Sequence, residues 1–238
     1  MPTNTHDQPI GESVDGWSPR ARPSTEAIEG HHCRIETLDV DRHGADLSHV
    51  FVAGSEDPQW TYLSYGPFDS AEAFLSWLKP AAGSDDPMFH AIVDSRSNQA
   101  VGLASYLRIE PEIGSIEVGH IHFSPRLGRT TAATEAMYLM MRRAFDELGY
   151  RRYEWKCDAL NEKSRRAASR FGFQFEGVFR QHLVYKGRNR DTAWFSILDS
   201  EWPRLREAYQ SWLAPDNFDE AGEQRQSLRQ LLQINAAT

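Results

Sequence analysis

The segment IEVGHIHFSPRLGRTTAATEAMYLMMRRAFDELG, Ile116–Gly149, passes from one hydrophobic periodicity to another. Its opening, Ile116–Phe123, is rich in β-branched and aromatic side chains and predicts a strand. Pro125, Gly128 and the Thr130-Thr131 pair then predict a turn. Beyond it, Ala133, Met137, Met140, Ala144 and Leu148 recur at helical spacing, which predicts a helix with one apolar face, ended at Gly149. Arg142 and Arg143 fall near its end, where the helix dipole favours cations. A strand that enters a helix through a turn of small residues aims several backbone N–H groups at one point, and such a point attracts a phosphate. An ordinary strand–loop–helix unit without a ligand shares the same pattern.

On the N-terminal side, residues 1 to about 30 carry prolines, glycines and scattered charges without periodicity, and predict an extended or mobile arm. His32–Leu38 predicts the first strand and Asp39–Val52 a helix. The segment DPQWTYLSYGPF, Asp57–Phe68, is dense in aromatic rings around Gly66-Pro67. It reads either as a loop packed over the core or as the wall or lid of a substrate pocket. Asp69 or Ser70 caps a short helix through Leu78, stopped at Pro80. Met88–Val93 and Ala100–Ile109 predict a hairpin across the polar turn Asp94–Gln99.

On the C-terminal side, Arg151–Cys157 alternates as a strand, and Asn161–Phe171 is helical and ended by Gly172. Phe175–Tyr185 and Thr192–Leu198 predict a second hairpin through KGRNRD. Ser200 caps a helix over Glu201–Leu213 with Pro203 in its first turn. Glu223–Ile234 predicts one more amphipathic helix. The order gives an α+β fold: a mixed, mostly antiparallel central sheet flanked by helices, two of them crossovers. One domain over residues 31–213 lies between the arm and a C-terminal tail, 214–238.

The 238 residues include seven Trp, eight Tyr and twelve Phe, which supports a folded chain rather than a disordered one. A net charge of −8 argues against nucleic acid as a partner, while the local cluster Lys186, Arg188 and Arg190 suits a small anion. Two cysteines, Cys33 and Cys157, match no metal spacing and predict free thiols in a reducing compartment. No apolar run reaches the roughly 18 residues of a membrane span. The N-terminus MPTNTHDQPIGESVDG lacks the basic and apolar regions of a signal peptide, so the expected location is the cytoplasm, with no membrane partner.

Four places, in order, resemble the GNAT acyltransferases, specifically the RimJ/RimL-type N-acetyltransferases. They are EVGHIHFSP, a strand in which Glu117 precedes a Gly-marked bulge; Ala133-Thr134-Glu135-Ala136, similar to the start of the family's pyrophosphate-binding helix; Asn161-x-x-Ser164-x-Arg166 followed by Phe171-Gly172-Phe173; and the closing hairpin Glu176-Gly177 to Lys186-Gly187 with Asp191. The resemblance covers roughly Arg34 to Trp202. It implies a GNAT-like fold, acetyl-CoA as co-substrate, no metal, and an amine acceptor, either a small molecule or a peptide N-terminus. It leaves a homodimer open. The family's glycine-rich turn is altered: Gly128 and Thr131 stand where a Gln/Arg and the central Gly are usual. Backbone N–H groups of Gly128, Arg129, Thr130, Thr131, Ala132 and Ala133 are nevertheless expected to hold the pyrophosphate. Arg129 is either a phosphate contact or a solvated loop charge. The resemblance further implies that backbone groups of Ile121, His122 and Phe123 pair with the pantetheine arm.

Acetyl transfer to an amine requires a neutral amine and a proton for the departing thiolate. By resemblance, Glu117 is the general base; its other reading is a structural Glu paired with a neighbouring cation. His120 could assist or replace it, and His120 with His122 makes a poor metal signal. Ser164 resembles the branch's proton donor, or serves only in hydrogen bonding at its helix start. Asn161 resembles a coenzyme contact, or only caps that helix. Tyr185 is the alternative acid, or packs. Leu183 stands where the RimL type carries a catalytic Glu, so a direct copy of ribosomal-protein acetylation is not expected. His182 would point opposite Leu183 on a regular strand, where it could still line a pocket. The acidic overall balance leans toward a cationic acceptor. Direct transfer in a ternary complex is the leading mechanism, because no obvious nucleophile is present and Cys157 reads as core. The alternative is a non-catalytic acyl-CoA-binding regulatory protein that uses its C-terminal helix as an interface.

Overall fold

The computed structural model describes residues 1–53 and 57–234. In chain order the elements are β1 (Ile28–Glu29), β2 (Cys33–Thr37), α1 (Val40–Ser48), α2 (Ala71–Ala82), β3 (Met88–Asp94), β4 (Ala100–Glu110), β5 (Ser115–Phe123), α3 (Thr131–Arg142), β6 (Arg152–Asp158), α4 (Glu162–Arg170), β7 (Gln174–Tyr185), β8 (Arg188–Leu198), α5 (Trp202–Leu213) and α6 (Leu228–Ile234). The strands form one sheet ordered β1-β2-β3-β4-β5-β6-β8-β7. Every pairing is antiparallel except β5 with β6, which the α3 crossover makes parallel. The α+β architecture is as predicted.

Two apolar cores lie on the two faces of the sheet. One packs α3 and α5 against Ile116, Val118, Tyr153 and Trp155; the other packs α1, α2 and the aromatic loop against Phe89, Ala91 and Leu103. Alternation explains the division, since successive strand residues face opposite ways. Among the described residues no helix is long and apolar enough to cross a membrane.

Several boundaries differ from the sequence expectation. α2 runs through Pro80 to Ala82, because a proline in the last turn removes one backbone hydrogen bond and leaves the rest intact. Ser70, rather than Asp69, caps it: its Oγ accepts from the Ala73 N–H at 3.1 Å. The helix begun at Val40 turns wider after Ser48, into a π-helical turn over His49–Ala53. α3 has no single apolar face. Ala132 through Met141 are all buried, since Tyr138 stacks on Trp202 and Tyr209 of α5 while the sheet covers the other side. Ser200 does not cap α5: Glu201 holds the cap position without a side-chain cap bond, and its carboxylate accepts from the Leu198 N–H. The last helix starts at Leu228, five residues later than expected, and buries Leu228 and Leu231.

The N-terminal arm is extended, and its second half makes contacts with the domain. Trp17 donates from Nε1 to the Glu112 carbonyl at 2.9 Å and lies under the guanidinium of Arg20. Ile28–Glu29 pairs with Arg34–Ile35 as the outermost strand. Beneath it the buried Glu135 of α3 accepts from the N–H groups of His31, His32 and Cys33 at 2.8, 2.6 and 2.8 Å.

Candidate active site

The site begins where β5 and β6 part. They are paired from Ser115–Arg152 to Val118–Trp155, and no further. Beyond that point β5 stays with β4 and β6 with β8, and a cleft of about 430 Å³ opens between them. Val118, Gly119, His120 and Ile121 line one wall, and Trp155, Lys156, Cys157 and Asp158 the other. Past the split, the side of Ile121–Phe123 that would face β6 has no strand partner among the described residues. Its backbone groups are available to an extended ligand.

Glu117 sits at the apex. It is 3% exposed, and its carboxylate receives Arg108 Nη1 at 2.8 Å and Lys156 Nζ at 2.9 Å. Lys156 also reaches Glu154 at 2.6 Å and lies 3.9 Å from the centre of the Trp194 ring. Burial pushes the Glu117 carboxyl above the ordinary carboxylate range, and Lys156 and Arg108 offset only part of that. Glu117 is thus paired with cations, as its structural reading expects, and it also lines the cleft.

His120 lies on a bulge in which it and Ile121 together oppose Ala104. Its φ is +49°, its Nδ1 is 3.2 Å from the Tyr65 hydroxyl, and its ring stacks on Tyr65. Burial, with Arg108 and Arg190 nearby, pushes it down to about 4, so it is neutral and a weak proton acceptor at pH 7. His122 is buried between Phe51 and Trp60 with Nε2 on Gln59, away from the cleft wall. Its ring does not line the cleft, and the expected pairing concerns its backbone alone.

At the other end of the cleft, Asn161 Oδ1 accepts from the Ser164 N–H at 3.1 Å and so caps α4. Ser164 Oγ accepts from Trp155 Nε1 at 3.0 Å and keeps its own proton. Tyr185 donates to Asp158 at 2.8 Å. Burial and that carboxylate push the phenol up to about 12, so it remains protonated. Ser164, Tyr185 and Asn161 all line the cleft.

The turn before α3 holds fewer available donors than expected. The N–H groups of Gly128, Thr130 and Ala133 are spent on Ser124 O, Leu127 O and Thr130 Oγ1. Arg129, Thr131 and Ala132 have no acceptor for theirs among the described residues. Arg129 takes the positive φ, +66°, so Thr131 is spared the conformation that its loss of glycine would have made costly.

Sequence reading missed Arg108, Lys156 and Asp158. Lys156 left a trace: in RRYEWKC, Arg152, Glu154 and Lys156 alternate with Tyr153, Trp155 and Cys157, marking one charged face. The aromatic loop supplies Tyr62, Leu63 and Ser64 to the cleft, while its Trp60 is core. His182 and Leu183 do not point apart. Arg180, Gln181 and His182 bulge opposite Asp191, and both His182 and Leu183 reach the cleft.

A family model described as an acetyltransferase (GNAT) domain matches residues 41–174. A GCN5-related N-acetyltransferase of Brucella melitensis is 48% identical; its crystal structure superposes with a TM-score of 0.90 over 92% of this chain and 100% of that one. A protein of Chromobacterium violaceum described as a probable acetyltransferase of the GNAT family is 45% identical, with a TM-score of 0.76 over 82% of this chain and 98% of its own. An uncharacterized N-acetyltransferase of Bacillus licheniformis, p20, is 25% identical over 61% of this chain and 84% of its own length. The parting of β5 and β6 over a buried acid thus lies in a chain that belongs to the GNAT family of acetyltransferases.

Proposed function

We propose that this enzyme transfers an acetyl group from acetyl-CoA directly to an amine, within the RimJ/RimL-type branch of its family. The observation that carries the reading is the cleft itself. A buried carboxylate stands at its apex, and two protonated hydroxyl groups, Ser164 and Tyr185, line its far end. GNAT proteins use acetyl-CoA, and the residues present fit it. Arg129, Thr131 and Ala132 offer three N–H groups at the α3 start for a pyrophosphate, and the open side of Ile121–Phe123 can pair with an extended amide-bearing arm. Acetyl-CoA supplies the activated thioester.

Glu117 takes the proton from the ammonium form of the acceptor, directly or through one water. Its burial-raised proton affinity brings it nearer the working pH, which favours proton transfer. Arg108 and Lys156 hold the carboxylate in place and favour its ionised form against the effect of burial. Ser164 supplies the proton to the thiolate, with Tyr185 as the other candidate. The neutral His120 orients the acceptor side. The buried free thiols Cys33 and Cys157 fit a reducing, cytoplasmic setting.

The test is thiol release from acetyl-CoA with a panel of amines. Acceptor-dependent release is expected, and Glu117→Gln should lower it by about 10²- to 10⁴-fold at neutral pH, with recovery as the pH rises and the amine loses its proton unaided. An unchanged pH profile removes Glu117 from the base role. Tight acetyl-CoA binding without acceptor-dependent release would support a non-catalytic binding protein instead.

A further inference from the structure

The cleft does not share the acidic balance of the chain: Arg108, Lys156 and Arg190 line it against Glu117 and Asp158, and this bears on the acceptor. On β6 and β8, Glu154, Lys156 and Asp158 share a face with Thr192, Trp194 and Ser196, through the pairs Glu154–Ser196, Lys156–Trp194 and Asp158–Thr192. This is the Glu117 face, away from α3 and α4, hence the side left to the acceptor. Arg190 extends the row. Its Nε donates to Thr192 Oγ1 at 3.1 Å, which fixes the stem, and its guanidinium lies 5.9 Å from the centre of the Tyr185 ring; the two terminal nitrogens have no acceptor among the described residues.

The other cations here are matched. Arg108 and Lys156 are both on Glu117, and Lys156 is shared with Glu154. Asp158 is occupied by the Tyr185 hydroxyl and the Leu160 N–H, and Asp191 by Gln181 N and Asn189 Nδ2. Arg190 forms no ion pair among the described residues, yet it lines the cleft, half-buried. Beside it His182, held through Nδ1 on Thr192, can add a second donor.

Two hydrogen bonds also restrict the entrance. Tyr62 Oη donates to the Leu160 carbonyl at 3.2 Å, and Lys186 Nζ to the Trp60 carbonyl at 2.8 Å. They tie the aromatic loop to the β6–α4 corner and to the tip of the β7–β8 hairpin, roofing a volume suited to a small molecule. On the acetyltransferase reading above, we propose that the acceptor is a small amine carrying an anionic group, carboxylate or phosphate, a few bonds from the nitrogen, and that Arg190 binds that group. The overall charge of −8 pointed the other way; it is spread over the surface and does not describe this pocket.

Thiol release from acetyl-CoA would be compared across matched pairs: α-amino acids against their amides, aminoalkyl phosphates against the parent amino alcohols, with diamines as the cationic arm. The anionic member of a pair should have kcat/KM about tenfold or more above its neutral counterpart, carried by KM, as a lost charge-assisted contact predicts. Whichever pair shows the larger ratio identifies carboxylate or phosphate. Arg190→Gln should collapse the ratio toward one by raising KM for the anionic member, and Arg190→Lys should keep part of it. Equal use of both members, preference for diamines, or an undiminished ratio in Arg190→Gln would overturn the proposal and leave the acetyltransferase reading standing. No thiol release with any amine would overturn both.

Discussion

Replacing Glu135 with Ala separates a structural role from a coenzyme role for the most motif-like residue of α3. The carboxylate is buried and accepts three backbone N–H groups from the β1–β2 turn. Only the Cys33 N–H is fully buried; those of His31 and His32 are partly open to water. Stranding one buried donor costs about 1–3 kcal/mol, and each partly solvated bond about 0.5–1.5 kcal/mol, for a total of about 2–6 kcal/mol. For a chain of this size each kcal/mol lowers Tm by about 2–4 °C, so a fall of about 10 °C is the central expectation. The geometry leaves little room for repair, since a Cβ on Gly30 would already lie 2.7 Å from Glu135 Oε2.

Glu135→Gln should lose roughly half as much, because the oxygen that takes both His32 and Cys33 can be kept while an NH₂ faces His31. Thermal unfolding gives the stability change, and hydrogen exchange at residues 31–33 locates it. Acetyl-CoA affinity below the melting range should stay within about twofold, since Glu135 turns away from the helix start. A variant that melts within 1 °C of the parent with those amides still protected, or one that loses coenzyme affinity without losing stability, would refute the assignment.

Lys156→Met leaves Glu117 with only Arg108, raises its affinity for a proton, and should move the acid limb of the kcat/KM profile up by about one pH unit; an unmoved limb would show that Lys156 does not tune Glu117. Acid should unfold the protein early. Burial, aided at His90 by Arg143, holds His90 and His122 down to about 4, below the ordinary 6.5, so the unfolded chain takes up protons first as pH falls from 6.5 toward 4. Each histidine then removes up to about 3 kcal/mol by pH 4, and a urea midpoint that stayed flat between pH 7 and pH 5 would contradict this.

The order of elements and the strand–turn–helix at Ile116–Gly149 were legible because each depends on local periodicity. The helix caps were half legible: Ser70 and Asn161 cap as short polar residues do, whereas Ser200 lost its place to Glu201, which the β7–β8 ladder positions. Burial all round α3 was not legible, since α5 arrives from more than sixty residues away. The same reason hid the site. Glu117 could be singled out from its own strand, but the cations that set its chemistry, Arg108 and Lys156, come from β4 and β6, and only strand register brings them together.

Register also explains why the cleft carries strained backbone. Three non-glycine residues around it take positive φ: Arg108 at +45°, His120 at +49° and Gln181 at +49°. Each lies where a strand gains residues against its partner, on β4, β5 and β7. Such conformations cost on the order of 1–3 kcal/mol each and persist only where surrounding contacts enforce them. Two have visible enforcers: Asp86 takes the Arg108 and Ile109 N–H groups at 2.8 and 3.0 Å, and Asp191 takes the Gln181 N–H at 2.8 Å. A bulge breaks strict alternation, so side chains that would point to opposite faces can share one. That is how Arg108 meets Glu117 and how His182 and Leu183 both enter the cleft. Alternation read from sequence fails at the positions where the fold departs from it to build the site, because no local residue preference announces an extra residue on one strand. The two aspartates that hold the bulges are the nearest thing to a sequence signal, and they lie on a different segment from Arg108 in one case and across the hairpin from Gln181 in the other.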